Sequence, residues 1–450
     1  MQPLPQFRGT TALIAALLGG APAAATIVPG LATVPAATRV FTVDSAATLQ
    51  QAMAIATPGS RIELKSGIYG PLAWRNFRNT GQPVTITSAA GHLARFASAD
   101  LTGSSGIILH RLEFVGAFNP LINFTQASDI LMTGTLISGA TRNSDPWDDT
   151  NTGVWIRSAS RITLSGNWFT DLRAGVYVQR SSTVALAEND LKHIREGFNI
   201  TAVAGIWLHR NLFQQFSPRY QDQEHPDAIQ FWTTREVVGN SDILITENFM
   251  NFGGKRPVQG IFMRSEEAES RGHSHIKNRN VRVIGNVYYG SSRHGISLSS
   301  VVNGVVRNNS VLASPWADRN EAGGISDAGR SGGGLQPAIM LRFPENVRVE
   351  RNAAPLLLAT EPGGTFADNL DVWDTLQRKE ISAHDVYATP PTGDLPAVSA
   401  FAVRSPSIAH TRSIGAVSLP RPGPQVAYGH MVARGGWYHA RSASIPSLVP

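Results

Sequence analysis

The sequence predicts an all-β chain folded as a single-stranded right-handed parallel β-helix, a solenoid with a short N-terminal capping helix. Three observations predict it. An asparagine returns at a 22-residue step, a five-residue strand pattern returns with it, and an amphipathic helical stretch precedes both.

The asparagines stand in Gly-Asn, Glu-Asn and similar turns at Asn167, Asn189, Asn211, Asn248, Asn286, Asn308 and Asn352. Their steps are 22, 22, 37, 38, 22 and 44 residues, so the longer ones read as coils carrying insertions. Asparagine tolerates a left-handed turn, and stacked amides can bond from coil to coil. The column is therefore read as structural.

The strand pattern begins at Gly153, Gly175, Gly197, Ala228, Gly260, Gly295 and Ala338. Second positions are Val154, Val176, Phe198, Ile229, Ile261, Ile296 and Ile339, and fourth positions are Ile156, Val178, Ile200, Phe231, Met263, Leu298 and Leu341. All are apolar and, at a period of two, are expected to point inward. Third positions (Trp155, Tyr177, Asn199, Gln230, Phe262, Ser297, Met340) and fifth positions (Arg157, Gln179, Thr201, Trp232, Arg264, Ser299, Arg342) are then expected to face water. Aromatic rings cover the apolar faces of sugars, and arginine forks match carboxylates. Trp155, Arg157, Tyr177, Gln230, Trp232 and Arg342 are thus candidate substrate-binding residues, together with Gln259 just before its strand.

Ahead of the repeat, Asp44-Ser45 precede Ala46 to Ala56, where Leu49, Ala52, Met53 and Ala56 fall at helical spacing and Thr57-Pro58-Gly59 ends the run. A helix there would cover the open end of the solenoid. Strand-like segments follow at Ser60–Leu64, Pro83–Ser88, Gly106–Phe114 and Asp129–Ile137. The helix is expected over residues 41–388. Residues 389–450, rich in proline and small residues, form an irregular tail expected to wrap its C-terminal end.

Residues 1–25 carry Arg8, an apolar run from Thr11 to Leu18 and the small residues Ala21 to Ala25, the layout of a secretory signal; residues 26–40 read as an extended leader. No apolar run is long enough to span a bilayer. Removal of the signal takes away Arg8, so the formal charge of +6 becomes +5. The 450 residues are 42% hydrophobic and 16% charged, which excludes global disorder, and the lack of cysteine says little in a chain this long. A secreted or periplasmic monomer is expected, with acidic polysaccharide rather than nucleic acid as its partner.

Insertions on a solenoid gather on one face. About nine extra residues precede Ala228, about twelve follow the Gly260 strand and about 22 precede Ala338, all flanking the same sheet. The first contains Arg219 through His225-Pro226-Asp227, and Arg293-His294-Gly295 opens a strand two coils on. Glu196, Asp227, Gln259 and His294 form a polar column just before successive strands, while Arg264 lies at the far end of its strand.

In these features the chain resembles the pectate-lyase-like superfamily of right-handed β-helices over roughly residues 40–390. Thr48-Leu49-Gln50-Gln51-Ala52, Pro58 to Leu64 and Gly67-Ile68-Tyr69 are similar to the opening of alginate and chondroitin lyases of that superfamily. His225-Pro226-Asp227 and Arg293 to Ser297 are similar to pieces of mannuronan C5-epimerases, which carry Asp-Pro-His where this chain has His-Pro-Asp. The resemblance implies uronate chemistry. Removing the C5 proton requires a base, a second proton carrier and neutralisation of the adjacent carboxylate. His225, oriented by Asp227, is the candidate base, His294 the second carrier and Arg264 the neutraliser. Each has a plainer reading: a turn with Asp227 capping amides, a histidine bonded to a carbonyl, and a solvated strand end.

The expectation is a polysaccharide lyase acting on a uronate-containing glycan. A C5-epimerase, a glycoside hydrolase using Glu196 and Asp227, and a non-catalytic glycan-binding β-helix remain open beside it. No cofactor follows firmly. Ca2+ is the one considered, at Asp145, Asp148 and Asp149 or at Glu266, Glu267 and Glu269, although neither group has a defined ligand spacing.

Overall fold

The computed structural model describes residues 34–219, 226–254, 257–314, 336–372, 381, 383–389 and 391–416. Each coil contributes strands to three parallel sheets, here called A, B and C. The coil at Ser160–Ser165 runs in sheet A, turns at Asn167, and continues as Trp168–Gln179 through sheet B and round a corner into sheet C. Sheet A has thirteen strands among the described residues, from Arg39–Val43 to Gly364–Ala367. Every pairing along the solenoid is parallel, and the coils wind as a right-handed β-helix.

The inward columns stack as the strand pattern requires. Val154 pairs with Val176, Val176 with Phe198, Phe198 with Ile229, Ile229 with Ile261, Ile261 with Ile296 and Ile296 with Ile339. All fourteen second- and fourth-position side chains lie in one core, none more than 1% exposed. Burial of each such side chain is worth about 1.5–3 kcal/mol. The glycines that open these strands sit where neighbouring coils approach closely: a Cβ on Gly197 would lie 2.1 Å from the Ala228 carbonyl oxygen.

The asparagine ladder is real, and two details differ from expectation. Asn167, Asn189, Asn211, Asn248 and Asn286 each donate a side-chain N–H to the next asparagine, and the chain continues through Asn309, not Asn308, to Asn352 and Asn369. The left-handed conformation belongs to the residue before each ladder position, as at Glu188, Arg210, Glu247 and Asn308, with φ between 51° and 56°. That leaves the following asparagine free to aim its amide along the stack. Each ladder amide also bonds a backbone carbonyl of an earlier strand, as Asn211 does to Leu186. These corners thus have their polar groups satisfied inside the fold.

The capping helix spans Ala46–Ile55, with Ser45 and Thr48 closing a reciprocal capping box and Leu49, Ala52 and Met53 buried. The first strand is Arg39–Val43, so the solenoid starts two residues before 41, because this segment pairs with Ser60–Leu64. Gly106–Phe114 and Asp129–Ile137 each divide into two strands on different sheets. The described part of the tail and the residues just before it pack against the wall of the helix. Ala383, Val386, Tyr387, Phe401, Ala409 and Ile414 pack on the outside of sheet B against Leu212, Phe249, Val287, Tyr289 and Leu312. Those side chains supply an apolar outer face that would otherwise meet water. Residues 1–25, read as a signal, lie outside the described residues.

Candidate active site

Sheet C carries the exposed aromatic and arginine columns on its outer face, and insertions stand along both of its edges. On the edge shared with sheet B, residues 139–151 meet the start of the next insertion. The Trp147 indole donates to the Ser217 carbonyl at 2.8 Å, and Arg219 donates to the Trp147 carbonyl while its guanidinium sits over the ring. On the edge shared with sheet A, a helix at Glu266–Ser270 stands over the strand ends.

The third and fifth positions are not uniformly solvated. Asn199, Thr201, Ser297, Ser299 and Met340 are buried. Ser299, for example, donates to Glu269 of that helix, so the insertions cover part of the face. The open part holds the aromatics. Tyr177 lies 6.4 Å from Trp155 and 6.1 Å from Trp232, ring centre to ring centre, and Arg157 stacks over Trp155. Gln230 is half-buried one coil from Asn199, and Arg342 is exposed at a strand end three coils past Trp232.

Glu196, Asp227, Gln259 and His294 fall on successive coils at the sheet B edge, as the register requires. Neighbouring coils are about 4.8 Å apart, so these side chains share one surface. Asp227 is 2% exposed, and neither carboxyl oxygen has a hydrogen-bond partner among the described residues. Burial, reinforced by the charge of Glu196, pushes its pKa well above the ordinary carboxylate range. Asn199 donates to Glu196 at 3.3 Å, and Arg173 stands 4.0 Å from its other oxygen. The Tyr177 phenol is pushed up to about 12, first by burial and then by Glu196. His294 meets the edge of the Phe262 ring at 5.2 Å. A carboxylic acid kept neutral beside a carboxylate can donate one proton and accept another.

Arg264 is not part of this group. It lies at the opposite end of its strand and bonds Glu269 at 3.0 Å, so its charge is matched inside the protein. His225 lies outside the described residues.

The acidic groups considered for Ca2+ are engaged elsewhere. Glu266 accepts from the Thr233 amide, and Glu267 holds Arg271, His273 and the Arg235 amide. Asp145 accepts from the Trp147 amide and Asp148 from Asn143, while Asp149 is pushed up to about 7 by burial, Asp148 and Asp171. Among the described residues no group of three or more His, Asp or Glu side chains is arranged to hold a metal.

The family model described as periplasmic copper-binding protein (NosD) matches residues 121–218, well under half of the chain. Compared with curated proteins, the chain finds no match. Among solved structures it is similar to an alginate lyase from Paenibacillus sp. str. FPU-7 (15% identity, TM-score 0.42, 74% of this chain and 98% of that one). It is also similar to the PL6 family alginate lyase AlyGC (13%, 0.46, 91% and 59%) and to the pectate lyase Pel9A (14%, 0.42, 82% and 90%). The likeness is one of fold. By its own strand pairing, the chain is a parallel β-helix.

In this β-helix, Asn199, Arg173 and the Tyr177 phenol were not singled out for chemistry from the sequence, whereas Glu196 was, as one of the two acids of a hydrolase. Glu196 carried a signal, since it precedes Gly197 as Asp227 precedes Ala228. Asn199 and Arg173 carried none, because their importance comes only from what Glu196 touches.

Proposed function

We propose that this protein is an exported enzyme that modifies a uronate-containing polysaccharide, and that it does so by β-elimination on the outer wall of sheet C. The observation that carries the reading is Asp227: a buried carboxyl group with no hydrogen-bond partner among the described residues, its pKa raised by burial and by Glu196, beside an aromatic floor. A neutral acid can donate its O–H to the carboxylate of a bound uronate. That hydrogen bond offsets the charge developing as C5 loses its proton, the task first given to Arg264.

Glu196 then takes the C5 proton, the electron pair forms the C4–C5 double bond, and the C4–O4 bond breaks. The phenol of Tyr177, which burial keeps protonated, gives its proton to the leaving oxygen. His225 and His294 stand as the competing bases. Trp155, Trp232 and Arg157 hold flanking sugars, and Gln230 and Gln259 bond hydroxyls.

The test is incubation with alginate, pectate, glucuronan and bacterial exopolysaccharides, read by ultraviolet absorbance of unsaturated ends. Absorbance that is lost in Asp227→Asn and Glu196→Gln supports elimination, and its absence on every substrate overturns it. A second reading has its own support. Glu196 and Asp227 lie one coil apart, near the spacing of about 5–5.5 Å used by retaining glycosidases. New reducing ends without absorbance would establish a hydrolase, and solvent deuterium at C5 without either would establish an epimerase.

A further inference from the structure

Sheet A has an outer wall that the sheet C reading does not use. Its outward column runs Trp207, Leu244, Arg282, Val305 and Arg348 on successive coils. Arg282, Asn303, Val305, Asn346 and Arg348, with Val281 and Gly304 beneath, line a groove of about 370 Å³. Both arginines have solvent access, and among the described residues neither forms an ion pair. The acids on the strand of Arg348 are matched, Glu345 by Lys277 and Glu350 by Arg307, and Asp242 on the strand before Arg282 accepts from Asn280. The groove's lining thus carries two positive charges and no acid.

Beside the arginines, Asn346 donates to Asn303 at 2.9 Å. That bond leaves a donor on Asn303 and an acceptor on Asn346 toward solvent, a pair suited to a sugar hydroxyl. Trp207 is half-buried, stacked on His209 at 4.4 Å and bonded through its indole N–H to Thr246, so its ring is a fixed platform. A coil advances about 4.8 Å, close to the length of one pyranose. Arg282 and Arg348, two coils apart, are thus spaced about as alternate sugars of an extended chain laid along the solenoid.

We propose that this wall of sheet A is an auxiliary binding site for a carboxylated polysaccharide. Arg282 and Arg348 pair with sugar carboxylates, the Asn303–Asn346 amides take hydroxyls and Trp207 carries a ring face. The site lies on a different sheet from the candidate active site and does not depend on the chemistry proposed there.

The test is affinity electrophoresis of the full chain in native gels containing alginate or polygalacturonate, with dextran as the neutral control and single-stranded DNA as a non-sugar polyanion. The expected result is retardation of the wild type by a carboxylated glycan, with at least fivefold weaker apparent affinity in R282A/R348A and in W207A. Circular dichroism melting of both variants checks that they fold. Asp227→Asn should stay retarded, which separates this site from the elimination reading. The inference is overturned if the wild type is not retarded, if R282A/R348A is retarded like the wild type, if only W155A/Y177A loses retardation, or if DNA retards the wild type as strongly as the glycans.

Discussion

Asp227 follows Glu196 by one coil on the outer wall of sheet C, and burial together with the charge of Glu196 pushes the pKa of the Asp227 carboxyl well above the ordinary carboxylate range. Two acids brought this close from positions 31 residues apart make the pair a product of coil stacking, not of local sequence.

Replacing Asp227 by asparagine keeps its shape and removes its proton. Turnover should fall by about 10²-fold or more if the group donates in the transition state. Stability should move the other way at high pH. The folded-state pKa lies above the unfolded value, so the folded chain holds a proton that the unfolded chain has lost, and stability falls as pH rises through that window. The melting temperature of Asp227→Asn should therefore decline less between pH 5 and 9 than that of the wild type. An equal decline in both would refute the protonated carboxyl.

Glu196→Gln should act on its neighbour as well as on the reaction. Removing the charge lowers the Asp227 pKa while burial still raises it, so any residual activity should lose its alkaline limb at a lower pH than in the wild type. A pH–rate profile of residual turnover measures this. An alkaline limb that stays in place would separate the two carboxyls.

The aromatic floor should govern affinity more than rate. Trp155 and Tyr177 touch each other on the open face, and Trp155→Ala removes one wall without disturbing the core columns. KM for a long acidic glycan should rise by about tenfold, the scale of about 1.4 kcal/mol of lost stacking, with a smaller change in kcat. Tyr177→Phe should do the reverse, because it keeps the ring and removes the phenol. Equal effects on kcat from both would argue against a proton role for the phenol.

The fold was legible because it repeats. A residue such as Val176 is read once and then confirmed at Phe198, Ile229 and Ile261, so a chance match at one coil costs nothing. The ladder slipped by one residue at Asn308-Asn309 because both positions hold asparagine, and only the amide geometry separates the turn residue from the ladder residue. The candidate site was half legible. Asp227, Gln259 and His294 were read from their shared place in the repeat. The partner of Arg264 was not, since Glu269 approaches it from a short helix that the sequence showed only as a run of acids. Where the tail packs was not legible for a similar reason. Leu212, Phe249 and Leu312 give sheet B an apolar outer face, but no periodic signal says which later segment will cover it.

Breaking the asparagine ladder should cost stability far from the site. Asn211 is fully buried, donates to Leu186 and Asn248, and receives two bonds from Asn189. Asn211→Ala leaves those partners unsatisfied, at about 1–3 kcal/mol for each buried group so exposed. Denaturant midpoints should drop sharply, while the pH profile of the surviving fold keeps its shape. A midpoint equal to the wild type would mean the ladder is decorative.

Asp149 and Asp171 supply the last test, on the loop that walls the site. Asp149 accepts from the amides of Ala140 and Thr141 and is pushed up to about 7 by burial and by the charges of Asp148 and Asp171; Asp171 is raised as well, chiefly by burial. Arg195 donates to the Asp149 carbonyl, so the backbone of the insertion is tied to the solenoid at the same point. Because the folded-state pKa exceeds the unfolded one, the contribution of Asp149 is full below about pH 4 and is lost progressively as pH rises through about 7. Ionisation places two negative charges in one buried pocket, and the segment from 139 to 151 is the part that can relieve it by opening. Limited proteolysis at pH 6 and pH 8.5 should show faster cleavage in this segment at the higher pH, and Asp149→Asn should erase the difference, because its amide oxygen still accepts the two backbone bonds and carries no charge. Cleavage rates that do not depend on pH, or an Asp149→Asn variant that opens as the wild type does, would mean that the loop is held by Trp147 and Arg219 alone.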